Sequence, residues 1–284
     1  MKLSVITINY NNFKGLRKTM MSVFSQTCAE FEYIVVDGGS TDESLEVLKE
    51  FNDNPVLSGR FNWISESDNG IYHAMNKGIC LAGGDFLLFL NSGDELVDRV
   101  VLEKVCTEIQ DKTEICSGIL YILDKGEKTI KYPIKELSLS YCYYGGLTHP
   151  NTFIRKSLFG KYGLYNENNK IVSDWEFFLH VAYFHHAIYQ AVNIPIANFY
   201  MDGISAIPNN PVTLEETKRV LENEIPHAVR IDIERLNLLE HKISQINFKA
   251  VDYLMQKHSL TAKIVFFPLE ILYYVLKKKN KLNF

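Results

Sequence analysis

Over its first hundred residues the chain alternates short apolar runs with segments of helical apolar spacing, a pattern that few folds can accommodate. Residues 3–8 are largely apolar and give way to Asn9, Tyr10, Asn11 and Asn12, after which Leu16, Met20, Val23 and Phe24 recur at helical spacing. The stretch 31–36 is β-branched and aromatic and is broken by Asp37-Gly38-Gly39. Ser40 and Glu43 then make a capping-box signal ahead of Leu45, Leu48 and Phe51. Residues 61–64 read as a third strand, and Ile71, Met75 and Ile79 form a stripe on one helix face. Residues 86–90 form a continuous apolar strand that stops at Asn91-Ser92-Gly93-Asp94. The glycines at 83–84 fall between helix and strand, so they read as a helix stop and not as a phosphate loop.

This pattern predicts an α/β fold with a mostly parallel sheet flanked by helices on both faces. Ligands of such sheets sit beyond the carboxyl ends of the strands. Here those ends carry polar clusters at 9–12, 37–42, 65–70 and 91–94. From about residue 112 the alternation loosens. Residues 115–123 and 128–132, separated by Asp124-Lys125-Gly126, predict a hairpin, and a helix is expected from Asp174 to His185. Residues 213–260 predict one or two charged amphipathic helices.

Composition excludes several classes. A net charge of −4 gives no footprint for nucleic acid. The five cysteines, odd in number and without a CxxC pair, argue against a disulfide framework or structural zinc. The start MKLSVITINYNN reads straight into a strand, and no run reaches the roughly 18 apolar residues of a membrane span. The expected location is therefore the cytoplasm. The apolar, aromatic stretch 264–276 is followed by Lys277, Lys278, Lys279 and Lys281. As a helix it would cover about 20 Å, short of a bilayer core. Either it lies in a membrane surface, over 262–284, or it packs on the body of the protein.

Three carboxylates stand where chemistry is expected. Asp37, just past a buried strand and followed by glycines, can accept from the imide of uracil or thymine; a turn capping the next helix is the plainer account. Asp94, at a strand end beside small residues, can hold Mg²⁺ or Mn²⁺ against a diphosphate, or serve only the turn. Asp174 can cap its helix or act as a general base toward a sugar hydroxyl. His149 can ligate metal, bind phosphate or touch an acceptor, or be a satisfied core histidine.

The segments SVITINYNN, VVDGGSTD, SESDNGIYHAMNKGI, FLLFLNSGDEL and SDWEFFL, in this order and spacing, resemble family 2 glycosyltransferases with the GT-A fold over about residues 1–200. The resemblance implies a catalytic domain over 1–205, with a nucleotide-sugar-binding half at 1–110 and an acceptor-binding half at 111–205. Residues 206–284 would be a helical extension. Thr7, Ile8, Asn9 and Tyr10 would line the nucleobase, and Asp37 would bind its N–H. Asp68, Asn76 and Asn91 would contact nucleotide or donor sugar. Asp94 would chelate the divalent metal, and Asp174 would be the base of an inverting transfer. The chain departs from the family's common Asp-x-Asp-Asp, keeping only the last acid in Asn91-Ser92-Gly93-Asp94.

The implied reaction moves a sugar from a UDP- or dTDP-sugar to a hydroxyl of a glycan or lipid-linked acceptor in bacterial surface polysaccharide synthesis. It proceeds at the cytoplasmic face, with peripheral contact to the inner membrane leaflet. Two other readings stand beside it. One is a nucleotide-sugar-binding protein without turnover, suggested by the eroded acidic motif. The other is a sugar nucleotidyltransferase, disfavoured because INYNNFKG replaces a glycine-rich loop after the first strand.

Overall fold

The apolar runs become strands of one nine-stranded sheet. The computed structural model describes residues 2–244 except 58, 202, 204–206 and 208. Four parallel strands, β1 (Leu3–Asn9), β2 (Phe31–Asp37), β3 (Phe61–Ser65) and β4 (Phe86–Phe89), lie in the order β3-β2-β1-β4. Strand periodicity divides their side chains between two cores. Leu3, Val5, Tyr33 and Val35 pack with Leu16 and Met20 of α1 (Phe13–Phe24) and with Leu48 of α2 (Ser44–Asn52). Ile6, Ile8, Ile34 and Val36 pack on the other face with Met75 and Ile79 of α3 (Ile71–Leu81). Contact there is close: a Cβ on Gly78 would stand 2.6 Å from Ile6 Cγ2.

The chain builds outward from β1 to β3, then returns to place β4 on the other side of β1. That reversal is a topological switch point, where the loops after β1 and β4 diverge and leave a crevice. Beyond β4 come β5 (Glu95–Leu96), α4 (Val101–Glu108), β6 (Ile115–Asp124) and β7 (Glu127–Lys131). After them follow α5 (Leu139–Tyr143), β8 (Thr152–Arg155), α6 (Ser157–Tyr162), α7 (Ser173–Phe178) and β9 (Tyr189–Tyr200). The predicted hairpin is the β6–β7 pair. β8 inserts antiparallel between β4 and β6, β9 runs parallel to β6, and β5 runs antiparallel to β9. β1, β2, β3, β4, β6 and β9 thus point one way, which makes the sheet mostly parallel.

Three local expectations change. Helix α2 starts at Ser44, and Ser40 makes no capping box with Glu43; its hydroxyl is drawn to Asp37 Oδ1 at 2.6 Å. The helix expected from Asp174 to His185 is α-helical only to Phe178 and continues as a π-helical turn, Leu179–Phe184. Its cap is Val172, so Asp174 lies inside the first turn and does not cap it. The chain divides into two compact units, Met1–Asn223 and Glu224–Phe284. Most of α8 (Pro211–Glu224) belongs to the first unit, and α9 (His227–Ser244) is the described part of the second. The stretch 262–284, expected to meet a membrane, lies outside the described residues. Among those described, no helix is long and apolar enough to cross a membrane.

Candidate active site

A cleft of about 580 Å³ opens at the switch point. It is walled by Ile8, Asn9, Tyr10 and Asn12 after β1, Asn91 and Asp94 after β4, and Asp68 and Ile71 around the start of α3. A second hollow of about 610 Å³ lies by Asp85 and Lys156, at the amino end of β4. Its cations fix backbone: Arg155 donates to the carbonyls of Thr113 and Asp111, and Lys156 to that of Ala82.

Asp37 stands where β2 ends, but it does not face the cleft. Its side chain is buried. Oδ1 accepts from Asn9 Nδ2 at 2.8 Å and Ser40 Oγ at 2.6 Å; Oδ2 accepts from Ser40 N–H at 2.9 Å and Ser65 Oγ at 2.7 Å. Burial alone would raise this carboxyl's pKa, but the donors outweigh it and hold the group below its ordinary value. Asp37 could meet the expected nucleobase N–H only by giving up one of these four donors. It fixes the three strand ends on which Asn9, Ser40 and Ser65 sit.

On this side of the cleft the acid at the surface is Asp68. Its Oδ1 accepts from Gly70 N–H at 2.9 Å, and its Oδ2 lies close over Gly38, where a Cβ would come within 2.5 Å. Tyr10, 66% exposed, flanks the same glycine, so its ring is open to stack on a planar ligand. Ile8 and Asn9 also line this wall, with Asn9 Nδ2 held by Asp37 and by Ser44 Oγ at 2.9 Å.

Two residues expected at the donor are tied into the fold by their side chains. Thr7 is buried; its hydroxyl donates to the Leu90 carbonyl at 2.7 Å and accepts from Tyr33 at 2.9 Å. Asn76, also buried, clamps the segment before α7. It donates to Tyr165 O at 2.9 Å and Glu167 Oε1 at 2.8 Å, and accepts from Tyr165 N–H at 3.0 Å.

Across the cleft, Asn12 donates to Ser92 O at 3.1 Å and ties the loops after β1 and β4 together. Asn91 Oδ1 is buried without a hydrogen-bond partner among the described residues. Asp94 Oδ1 lies 3.4 Å from the backbone N–H of Tyr200, so the end of β9 closes this wall. Tyr200 in turn donates to Glu95 at 2.7 Å and carries Lys18 Nζ 3.0 Å over its ring.

Asp174 is half-buried beyond the first turn of α3. Its Oδ1 accepts from Tyr72 Oη at 2.8 Å, and its Oδ2 lies 3.5 Å from His149 Nδ1. His149 is buried between Phe89 and Phe178, with Nε2 2.9 Å from Tyr165 Oη. Burial lowers its pKa more than Asp174 raises it, so the ring is neutral at neutral pH. Of the roles the sequence left open for His149, metal, phosphate or acceptor contact or a satisfied core histidine, the geometry shows an enclosed neighbour of Asp174.

Tyr72, Phe199 and Tyr200 are not singled out by the sequence, whereas Asn12 falls in its polar cluster at 9–12. Tyr72 carried a signal, sitting in the SESDNGIYHAMNKGI segment; Phe199 and Tyr200 sit on a strand that sequence reading did not identify.

The sequence profile of Glycosyl transferase family 2 matches residues 4–173. A PGL/p-HBAD biosynthesis glycosyltransferase of Mycobacterium bovis is 27% identical over 87% of this chain and 93% of its own length. An uncharacterized glycosyltransferase of Mycobacterium tuberculosis is 34% identical over 63% of this chain and 68% of its own. Among solved structures, S. aureus TarS in complex with UDP-GlcNAc superposes with a TM-score of 0.64 at 21% identity, covering 82% of this chain and 70% of that one. The mannosyltransferase PcManGT from Pyrobaculum calidifontis, in complex with GDP-Man and Mn²⁺, gives 0.58 at 13% identity, covering 99% and 83%.

Proposed function

Because the chain belongs to glycosyl transferase family 2 and has the GT-A fold, we propose that it moves a sugar, with inversion, from a UDP- or dTDP-sugar to a hydroxyl acceptor. The acceptor is a glycan or a lipid-linked glycan of cell-surface synthesis. A relative named for PGL/p-HBAD biosynthesis supports that setting. The observation that carries the reading is the switch-point cleft, with Asp94 on one wall and Tyr10 and Asp68 on the other. The nucleobase stacks on Tyr10, and its imide N–H is directed to the wall formed by Gly38 and Asp68. The diphosphate extends toward Asn91 and Asp94.

A divalent cation, Mn²⁺ or Mg²⁺, fits the hard oxygens here: the Asp94 carboxylate and the unpartnered Asn91 amide oxygen. When bound, such a cation neutralises charge on the departing diphosphate. With one acid where the family commonly has three, that site should be weak.

Asp174 is tied through Tyr72 to the turn of α3 whose Ile71 lines the cleft. It orients the acceptor hydroxyl and takes its proton as the oxygen attacks the anomeric carbon. The bond from that carbon to the diphosphate breaks, its electron pair leaving with the nucleotide. Asp174→Asn should lower turnover by about 10²–10⁴-fold, and NMR of the product should show the inverted anomer. Full activity in the variant would remove the base assignment; a retained anomer would remove single displacement.

A further inference from the structure

Tyr72 does more than tie Asp174 to α3. Tyr72 is buried, 4% exposed, and its hydroxyl stands between two acceptors: Asp174 Oδ1 at 2.8 Å and the Ile171 carbonyl at 2.5 Å. A phenol has one proton to donate and lone pairs to accept. Burial, then the nearby Asp174 charge, raises its pKa well above the ordinary tyrosine value, so it keeps that proton throughout the neutral range.

We propose that Tyr72 is a positioning residue that follows Asp174 through its change of protonation. This rests on Asp174 being the base. While Asp174 is ionised, Tyr72 donates to its Oδ1 and holds the carboxylate toward the acceptor. Once Asp174 has taken the acceptor's proton, the acid can donate to the Tyr72 oxygen, and the phenol turns its own proton to the Ile171 carbonyl. Each state then has a satisfied bond, and beyond the proton Asp174 has gained they differ only by rotation of the phenol O–H between Asp174 and Ile171. The partners are anchored for this task. The Tyr72 ring packs on Tyr165 at 5.7 Å, and Glu216 of α8 holds the backbone N–H groups of Lys170 and Ile171 at 2.7 and 3.0 Å.

Other titratable groups around Asp174 are committed elsewhere or uncharged. His149 is neutral, and Tyr165 is buried and held protonated. Glu176 accepts from Asn169 at 2.6 Å, and Glu167 accepts from Asn76 at 2.8 Å. Tyr72 is therefore the donor whose loss the base should register.

The test compares wild type, Tyr72→Phe and Asp174→Asn by nucleotide release from UDP-glucose, UDP-galactose, UDP-N-acetylglucosamine and dTDP-rhamnose with Mn²⁺, from pH 5 to 9, beside thermal melts. Tyr72→Phe keeps the ring and should fold. Its kcat should fall about tenfold, and the acidic limb of its pH profile should move to higher pH, because the ionised carboxylate has lost a donor. Asp174→Asn inactive with an unmoved limb in Tyr72→Phe would overturn the proposal and leave the base assignment standing. Asp174→Asn at full activity would overturn both.

Discussion

Gly38 bears on donor affinity through what stands over it. A methyl group there would meet Asp68 Oδ2 at 2.5 Å and the Tyr10 ring at 3.3 Å. The obstruction is the end of a short side chain, so the fold can yield while the cleft surface cannot keep its shape. Gly38→Ala should therefore raise the nucleotide Kd about tenfold by titration calorimetry, with little change in melting temperature. The clustering of polar residues at strand ends was legible from sequence, because each follows a break in an apolar run. Which of them face the ligand was not. Asp37 and Asp68 are both acids in the recognised segments, and only the network of Asn9, Ser40 and Ser65 around Asp37 shows that its carboxylate is already bonded within the fold. Thr7 is similar, with its hydroxyl bonded to the Leu90 carbonyl and to Tyr33.

Helix α3 joins the two halves of the site. Its first turn lines the cleft, Tyr72 reaches Asp174, and Asn76 holds the 163–169 segment by three hydrogen bonds. Asn76→Ala removes the clamp and leaves buried partners unpaired, at a cost of about 2 kcal/mol in urea unfolding. Activity should fall with it, because the released segment leads into α7 and Asp174. The helix itself was readable from the Ile71, Met75, Ile79 stripe. β8 and β9 were not. β8 has four residues, and β9 contains Pro195 and pairs with β6 through register shifts. Their identity as strands is set by partners distant in the chain, which local periodicity does not record.

For the whole molecule, the order β3-β2-β1-β4 creates the crevice before any particular side chain is considered. The strand–helix alternation was enough to predict parallel strands with a ligand beyond their carboxyl ends; the return to β4 that opens the switch point is set by strand order, which local periodicity does not record. The mixed second half, in which β8 runs against its neighbours, brings His149, Asp174 and Tyr200 to the same end of the sheet. Asp94 is the one acid retained in its motif, so sugar transfer in this cleft with help from a bound cation depends on it. The most direct measurement is release of nucleotide from a panel of UDP- and dTDP-sugars, with Mn²⁺ or with chelator, for wild type and Asp94→Ala. The account predicts Mn²⁺-dependent release of one nucleotide by wild type, abolished by chelator and lowered at least about a hundredfold in the variant. Tight nucleotide binding with no turnover, or turnover untouched by both chelator and Asp94→Ala, would contradict it.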